Sequence, residues 1–369
     1  MHGSELLTRV FHRLFRRRRF ASKTRHADFE DHHSSLSPSL ESRRIYDTIT
    51  PSHSYHGGVF TDWQRHGKDC LSELLGLDKF NIDAPVVHCR LIWESVDDLG
   101  TYQKYVLTDA NGVHIPVYRA VPYLNSHPRR WLVCLQGHTS GMHVTLGIDQ
   151  TEEFRLRGPH ASRDFGTAAL RKGFGIVCLE QASLGTRIER KIPKVAPHPC
   201  FDASMHSILL GTTLMARRVH DISKTVDFFK GQLAGSSSWG VMGNSLGGST
   251  SLYAAIFCKE IDYCAASCCV ADFGESLLNL YHCADLYVPD LAAHFLMSDI
   301  IGLLAPKPTI LCAGIADPIF PVTGFRKTIL EAEEIFSASS KPKNLKKVIG
   351  MGGHRLYTDE ILAELIRLD

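Results

Sequence analysis

Apolar and polar positions fall into three successive patterns along the chain. Near the N-terminus Leu6, Leu7, Val10, Phe11, Leu14 and Phe15 recur at helical spacing and run into Arg16, Arg17, Arg18 and Arg19, which predicts a short basic amphipathic helix. Residues 22–43 are polar, with Ser34, Ser35, Ser37, Pro38 and Ser39 clustered, and read as a linker. From about Tyr55 the pattern becomes that of a packed domain. An amphipathic helix is predicted over residues 63–77, ended by Gly76 and Asp78. Three β-rich runs follow at 86–95, 101–109 and 113–121, with Asn111 and Gly112 as a hairpin signal. Beyond them strand-like runs at 130–136, 175–179, 238–242, 263–270, 309–313 and 346–349 are interspersed with helical stretches at 151–172, 209–230, 326–337 and 358–368. Such alternation predicts an α/β fold: a mostly parallel sheet with helices on both faces and antiparallel strands at its N-terminal edge. The expected organisation is an extension and linker over 1–50 and one domain over 51–369, within which the long connection 272–306 forms a lid or pocket wall.

One strand-to-helix junction carries a chemical pattern. The run Trp239-Gly240-Val241-Met242-Gly243-Asn244-Ser245-Leu246-Gly247-Gly248 reads as strand, G-x-S-x-G turn and helix start. In a nucleophile elbow the serine occupies a sharp, strained turn, and small residues two before and two after it keep its surroundings clear. A glycine-rich βα turn without chemistry would share these five residues, so the partners decide the matter. A serine hydroxyl needs a base, and the base needs an orienting acid. Asp317 lies on the loop after the strand at 309–313, followed by Pro318, where an Asx turn would also explain it. His354 lies on the glycine-rich loop after the strand at 346–349. The order Ser, Asp, His is the one these folds use. Asp272, just after the strand at 263–270, is the alternative acid. For the oxyanion the expected donors are the Leu246 amide and an amide of the loop after the strand at 130–136, His138 first and Thr139 next. His138 could equally anchor that loop through its side chain.

Composition narrows the class. Of 369 residues 44% are hydrophobic and 22% charged, as in ordinary globular proteins, and the formal net charge of +2 gives no general pull towards nucleic acid. No stretch approaches the roughly 20 apolar residues of a membrane span, and no secretory signal pattern opens the sequence. The 11 cysteines sit mostly in apolar runs, without CxxC pairs or Cys/His ligand spacing. A reducing, cytoplasmic location follows as the expectation, with no cofactor and no metal site. The basic N-terminal segment, residues 1–20, could lie on an anionic membrane surface or dock against its own domain or a second subunit.

The chain resembles the acetyl xylan esterase and cephalosporin-C deacetylase-like, dienelactone-hydrolase-related branch of the α/β-hydrolases. The matching segments are Leu135-Gln136-Gly137-His138, Gly243-Asn244-Ser245-Leu246-Gly247-Gly248, Ala305-Pro306-Lys307-Pro308, Asp317-Pro318-Ile319-Phe320-Pro321 and Gly352-Gly353-His354, across residues 55–369. The resemblance implies Ser245 as nucleophile, His354 as base and Asp317 as acid. After the strand at 175–179 the chain departs from the pattern: Glu180-Gln181-Ala182-Ser183-Leu184-Gly185-Thr186-Arg187 stands where relatives tend to carry an aspartate and an arginine-glycine pair. The expected activity is metal-free hydrolysis of a small-molecule carboxylic ester, with a small acyl group, through an acyl-enzyme. A small-amide or peptide hydrolase of the prolyl-oligopeptidase type is the second enzyme reading, and a non-catalytic binding module the contrasting class.

Overall fold

The computed structural model describes residues 37–81, 85–125, 127–138, 141–149, 163–189, 198–233 and 237–368. The basic helix expected near the N-terminus, Thr139, and residues 151–162 of the helix expected at 151–172 lie outside these. Two compact units divide the chain, Met1–Ile45 and Tyr46–Asp369. The helix Pro38–Thr48 (α1) buries none of its side chains.

Nine strands form one sheet. The first three are Val86–Val96 (β1), Gly100–Asp109 (β2) and His114–Pro122 (β3). They pair antiparallel, and β3 meets Gly175–Leu179 (β5) antiparallel as well. From there every pairing is parallel, through Arg130–Leu135 (β4), Ser238–Asn244 (β6), Tyr263–Ser267 (β7), Thr309–Gly314 (β8) and Leu345–Gly350 (β9). The spatial order is β1-β2-β3-β5-β4-β6-β7-β8-β9. Thus β4 has the next strand on one side and the one after that on the other. Ligands of open α/β sheets bind at such a reversal, beyond the carboxyl ends of the strands.

The inner strands β4 to β8 read as mainly apolar runs because helices cover both faces, while the edge strand β9 exposes Lys346 and Lys347. Leu132, Cys134, Ile176, Met242, Ile310 and Cys312 pack with Phe165–Arg171 (α3) and Thr358–Ile366 (α10). Their neighbours Val133, Leu135, Val177, Val241, Leu311 and Ala313 pack on the opposite face. There they meet Phe60–Leu75 (α2), Leu214–Lys230 (α5), Leu246–Phe257 (α6) and Val322–Ser337 (α9).

The helix expected over 209–230 starts later, at Leu214, and a separate helix that the sequence reading does not include, Phe201–Leu209 (α4), ends just before it. Gly211 takes φ 73°, and the Thr213 hydroxyl accepts the Ala216 amide at 3.0 Å as the cap of α5. A left-handed glycine followed by an N-cap threonine is a stop and a start, stronger than the apolar pattern running across them. The connection 272–306 packs into the core: it holds the short helices Leu291–His294 (α7) and Met297–Gly302 (α8), with Phe295, Ile300 and Ile301 wholly buried.

Ile310, the second residue of β8, has no exposed surface. Its replacement by Ala is expected to cost about 2–5 kcal/mol, read as a lower urea midpoint with an unchanged denaturant slope.

Candidate active site

Ser245 is the single residue between the last residue of β6 and the first of α6, and it adopts φ 55°, ψ −124°. For a residue with a Cβ this conformation costs on the order of 1–3 kcal/mol and must be held from outside. Its N–H donates to the Ser267 carbonyl at 2.8 Å, at the end of β7. A Cβ at Gly243 would fall on the Gly247 carbonyl, and one at Gly247 on the Leu135 carbonyl. Both glycines are therefore required by close backbone approach. On the other side, a Cβ at Gly137 would stand 3.3 Å from Ser245 Cβ, so the loop after β4 touches the serine. The Leu246 amide belongs to the first turn of α6, whose amides have no acceptor within the helix and favour a negative charge.

His354 follows β9 and Asp317 follows β8, at the same edge of the sheet. His354 Nδ1 donates to Asp317 Oδ2 at 2.9 Å and lies 3.1 Å from Oδ1. The Asx turn anticipated from the sequence forms too: Asp317 Oδ1 accepts the amides of Ile319 at 2.9 Å and Phe320 at 3.1 Å. Burial works against the charged carboxylate, but the His354 hydrogen bond and these two amides outweigh it and hold Asp317 below the usual carboxylate range. With Nδ1 committed to Asp317, Nε2 is the nitrogen left to accept a proton. Asp272 is engaged elsewhere, with Lys327 Nζ at 2.7 Å and the Gly274 amide at 2.9 Å. Cys268 also lies beside Asp317 and His354, but burial pushes its thiol up to about 12, which keeps it protonated and unreactive.

Ser245 and His354 line one pocket of about 340 Å³ together with Gln136, Gly137, His138, Asn244, Arg163 and Arg355. The His138 side chain does anchor its loop: Nε2 lies 3.1 Å from Asp285 Oδ2, which also accepts from Arg218 Nη2 at 2.7 Å. Burial of the imidazole opposes its charge, yet the hydrogen bonds to Asp285 and Cys200 raise His138 to about 9. The side chain is used for holding, which leaves the backbone amide for other work.

Two positioning residues could not be read from local pattern. Glu180, at the end of β5, is buried beneath the β4 loop. Its Oε1 accepts from Gln136 Nε2 at 3.0 Å and the Met142 amide at 2.9 Å, and Oε2 accepts the Thr186 amide at 3.1 Å. The departure from the family pattern after β5 thus sits under the pocket floor. His282, in the connection 272–306, packs against Phe320, which in turn stacks on the His354 ring at 6.0 Å between centroids. Its only sequence signal was a place beside Tyr281 and Cys283.

No family model matches the sequence. Over 186 residues the chain is 23% identical to YtaP of Bacillus subtilis, provisionally named a hydrolase; the match covers 49% of this chain, which thus spans 60% of that relative. A solved structure provisionally named an acetyl xylan esterase, from Bacteroides fragilis, matches with TM-score 0.69 and 14% identity over 85% of this chain and 82% of that one. The protein has the α/β-hydrolase fold. A methylesterase structure agrees, with TM-score 0.65 and 13% identity over 90% of this chain and 68% of that one. Within this α/β-hydrolase fold Ser245 occupies the strained turn between β6 and α6, and Asp317 and His354 are hydrogen-bonded on loops after β8 and β9.

Burial and the nearby His354 charge lower His282 to about 4 from its ordinary 6.5. A ring kept neutral when folded, but protonated near pH 6.5 when unfolded, contributes stability in full above that pH. The contribution is lost as pH falls from about 6.5 towards 4. Urea unfolding at several pH values is expected to show this decline, and His282→Gln to flatten it.

Proposed function

We propose that the protein is a serine hydrolase that cleaves a carboxylic ester carrying a small acyl group. The observation that carries this reading is the hydrogen bond between His354 Nδ1 and Asp317, formed at the rim of the pocket that Ser245 lines. Asp317 fixes the ring so that Nε2 takes the Ser245 proton as Oγ attacks the ester carbonyl. The tetrahedral oxyanion lies between the Leu246 and His138 amides, where donors fixed in advance need no reorganisation. His354 then returns the proton to the leaving alcohol, and a water attacks the acyl-enzyme by the same route.

The relatives' names support the ester bond: two of the three are esterases and the third a hydrolase. The pocket lining suits a small acyl group and a polar alcohol: Asn244, Arg163 and Arg355 offer donors, beside a limited apolar surface from Val144, Phe165, Ile319 and Leu356. All eleven cysteines are free thiols, which fits work in a reducing compartment such as the cytoplasm.

The full chain is expected to be labelled by a fluorophosphonate at Ser245 and to cleave p-nitrophenyl acetate in preference to the matching anilide. Ser245→Ala abolishes both reactions. Asp317→Asn lowers kcat by about 10³–10⁴-fold, while Asp272→Asn stays within about twofold. A folded protein that takes up no phosphonate overturns the hydrolase reading in favour of a binding module, and preferential anilide cleavage overturns the ester.

A further inference from the structure

We propose that His138, Cys200, Cys283 and Asp285 form a binding site for one zinc ion, which ties the loop after β4 to the segments before α4 and α7. The imidazole nitrogen, the two Sγ atoms and a carboxylate oxygen all lie within 4.8 Å of one another. A tetrahedral zinc ion with bonds of about 2.0–2.3 Å spaces its ligand atoms roughly 3.3–3.8 Å apart. Here His138 Nε2 is 3.8 Å from Cys200 Sγ, and it meets the Asp285 carboxylate through Oδ2 at 3.1 Å, which leaves Oδ1 as the oxygen open to the ion. With all spacings within 4.8 Å, side-chain shifts of up to about 1 Å would complete the tetrahedron.

Two further observations point to a cation. Asp285 Oδ1 is buried and accepts no hydrogen bond, while Oδ2 of the same carboxylate takes both Arg218 and His138. A buried anionic oxygen without a partner is costly, and a metal is the partner it lacks. Charge also balances. Two thiolates and a carboxylate around a divalent cation leave one negative charge in excess, and the Arg218 guanidinium, wholly buried and 2.7 Å from Asp285, cancels it. The same guanidinium is held by the Ala182 carbonyl at 2.9 Å, as an outer support of the ligand carboxylate. Two soft sulfur ligands with one imidazole and one carboxylate select zinc over magnesium or calcium. The partly exposed His138 lines the active-site pocket, which gives the ion a way in. Zinc here would be structural: it would hold the loop that carries the His138 amide, and take no part in bond cleavage.

The proposal stands apart from the hydrolase reading and is tested by spectroscopy. Reduced full-length protein, stripped by chelator, is titrated with Co²⁺ and then Zn²⁺. One equivalent of Co²⁺ is expected to give tetrahedral d–d bands with thiolate-to-metal charge transfer, all lost on zinc addition. Cys200→Ser and Cys283→Ser, with near-UV circular dichroism unchanged, each weaken binding at least tenfold and reduce the charge-transfer band. Cys70→Ser, at the separate grouping of His53, Cys70 and His294, leaves both unaltered. Wild-type protein without the charge-transfer band, a band that survives both Cys200→Ser and Cys283→Ser, or one lost in Cys70→Ser overturns the site.

Discussion

Between β6 and α6 the chain reverses within a single residue, and the backbone strain at Ser245 is what the surrounding architecture has to contain. The strain costs on the order of 1–3 kcal/mol and persists because three parallel strands end against it. β7 accepts the Ser245 amide through Ser267, β4 presses its Leu135 carbonyl onto Gly247, and the loop after β4 brings Gly137 against Ser245 Cβ. Register among β4, β6 and β7 is thereby tied to the position of one hydroxyl. A slip of one residue would turn Leu135 and Val241 to the opposite face, and the buried layers on both sides forbid it.

Polar groups are buried around this turn in an order that follows from the same need. The loop after β4 has to be rigid, and a loop cannot be held by ladder hydrogen bonds. Glu180 holds it from below through Gln136 and Met142, and the Arg218–Asp285 pair holds it from the side through His138. Buried charges are costly unless paired, so each of these groups is retained only with its partners. The rise of Glu180 above the usual carboxylate range, caused mainly by burial, shows the cost borne beneath the pocket.

Most of the architecture was legible because it is local. Apolar runs separated by helical periodicity announced β4 to β8, and Gly76 and Thr213 mark boundaries that a single residue type can enforce. The start of α5 is placed too early, at 209 instead of Leu214, because the apolar Leu209 and Leu210 precede the left-handed Gly211 and the Thr213 cap, and α4 before it is not read. α5 itself buries Arg218, His220, Asp221 and Lys224, which a surface-helix pattern does not anticipate. Their burial depends on partners 30 to 70 positions away, such as Ala182 and Asp285.

The sequence by itself determined the strained serine turn, the glycines it demands, and the presence of Asp317 and His354 on later strand ends in a usable order. These are properties of short segments, and backbone sterics or chain order suffice to state them. Only the tertiary structure decided that Asp317 rather than Asp272 meets His354, that Glu180 lies under the pocket, and that His138, Cys200, Cys283 and Asp285 converge. Each of those facts is a distance between segments far apart in sequence. Such distances are set by the order of strands in the sheet and by which helix covers which face, and no local pattern contains them.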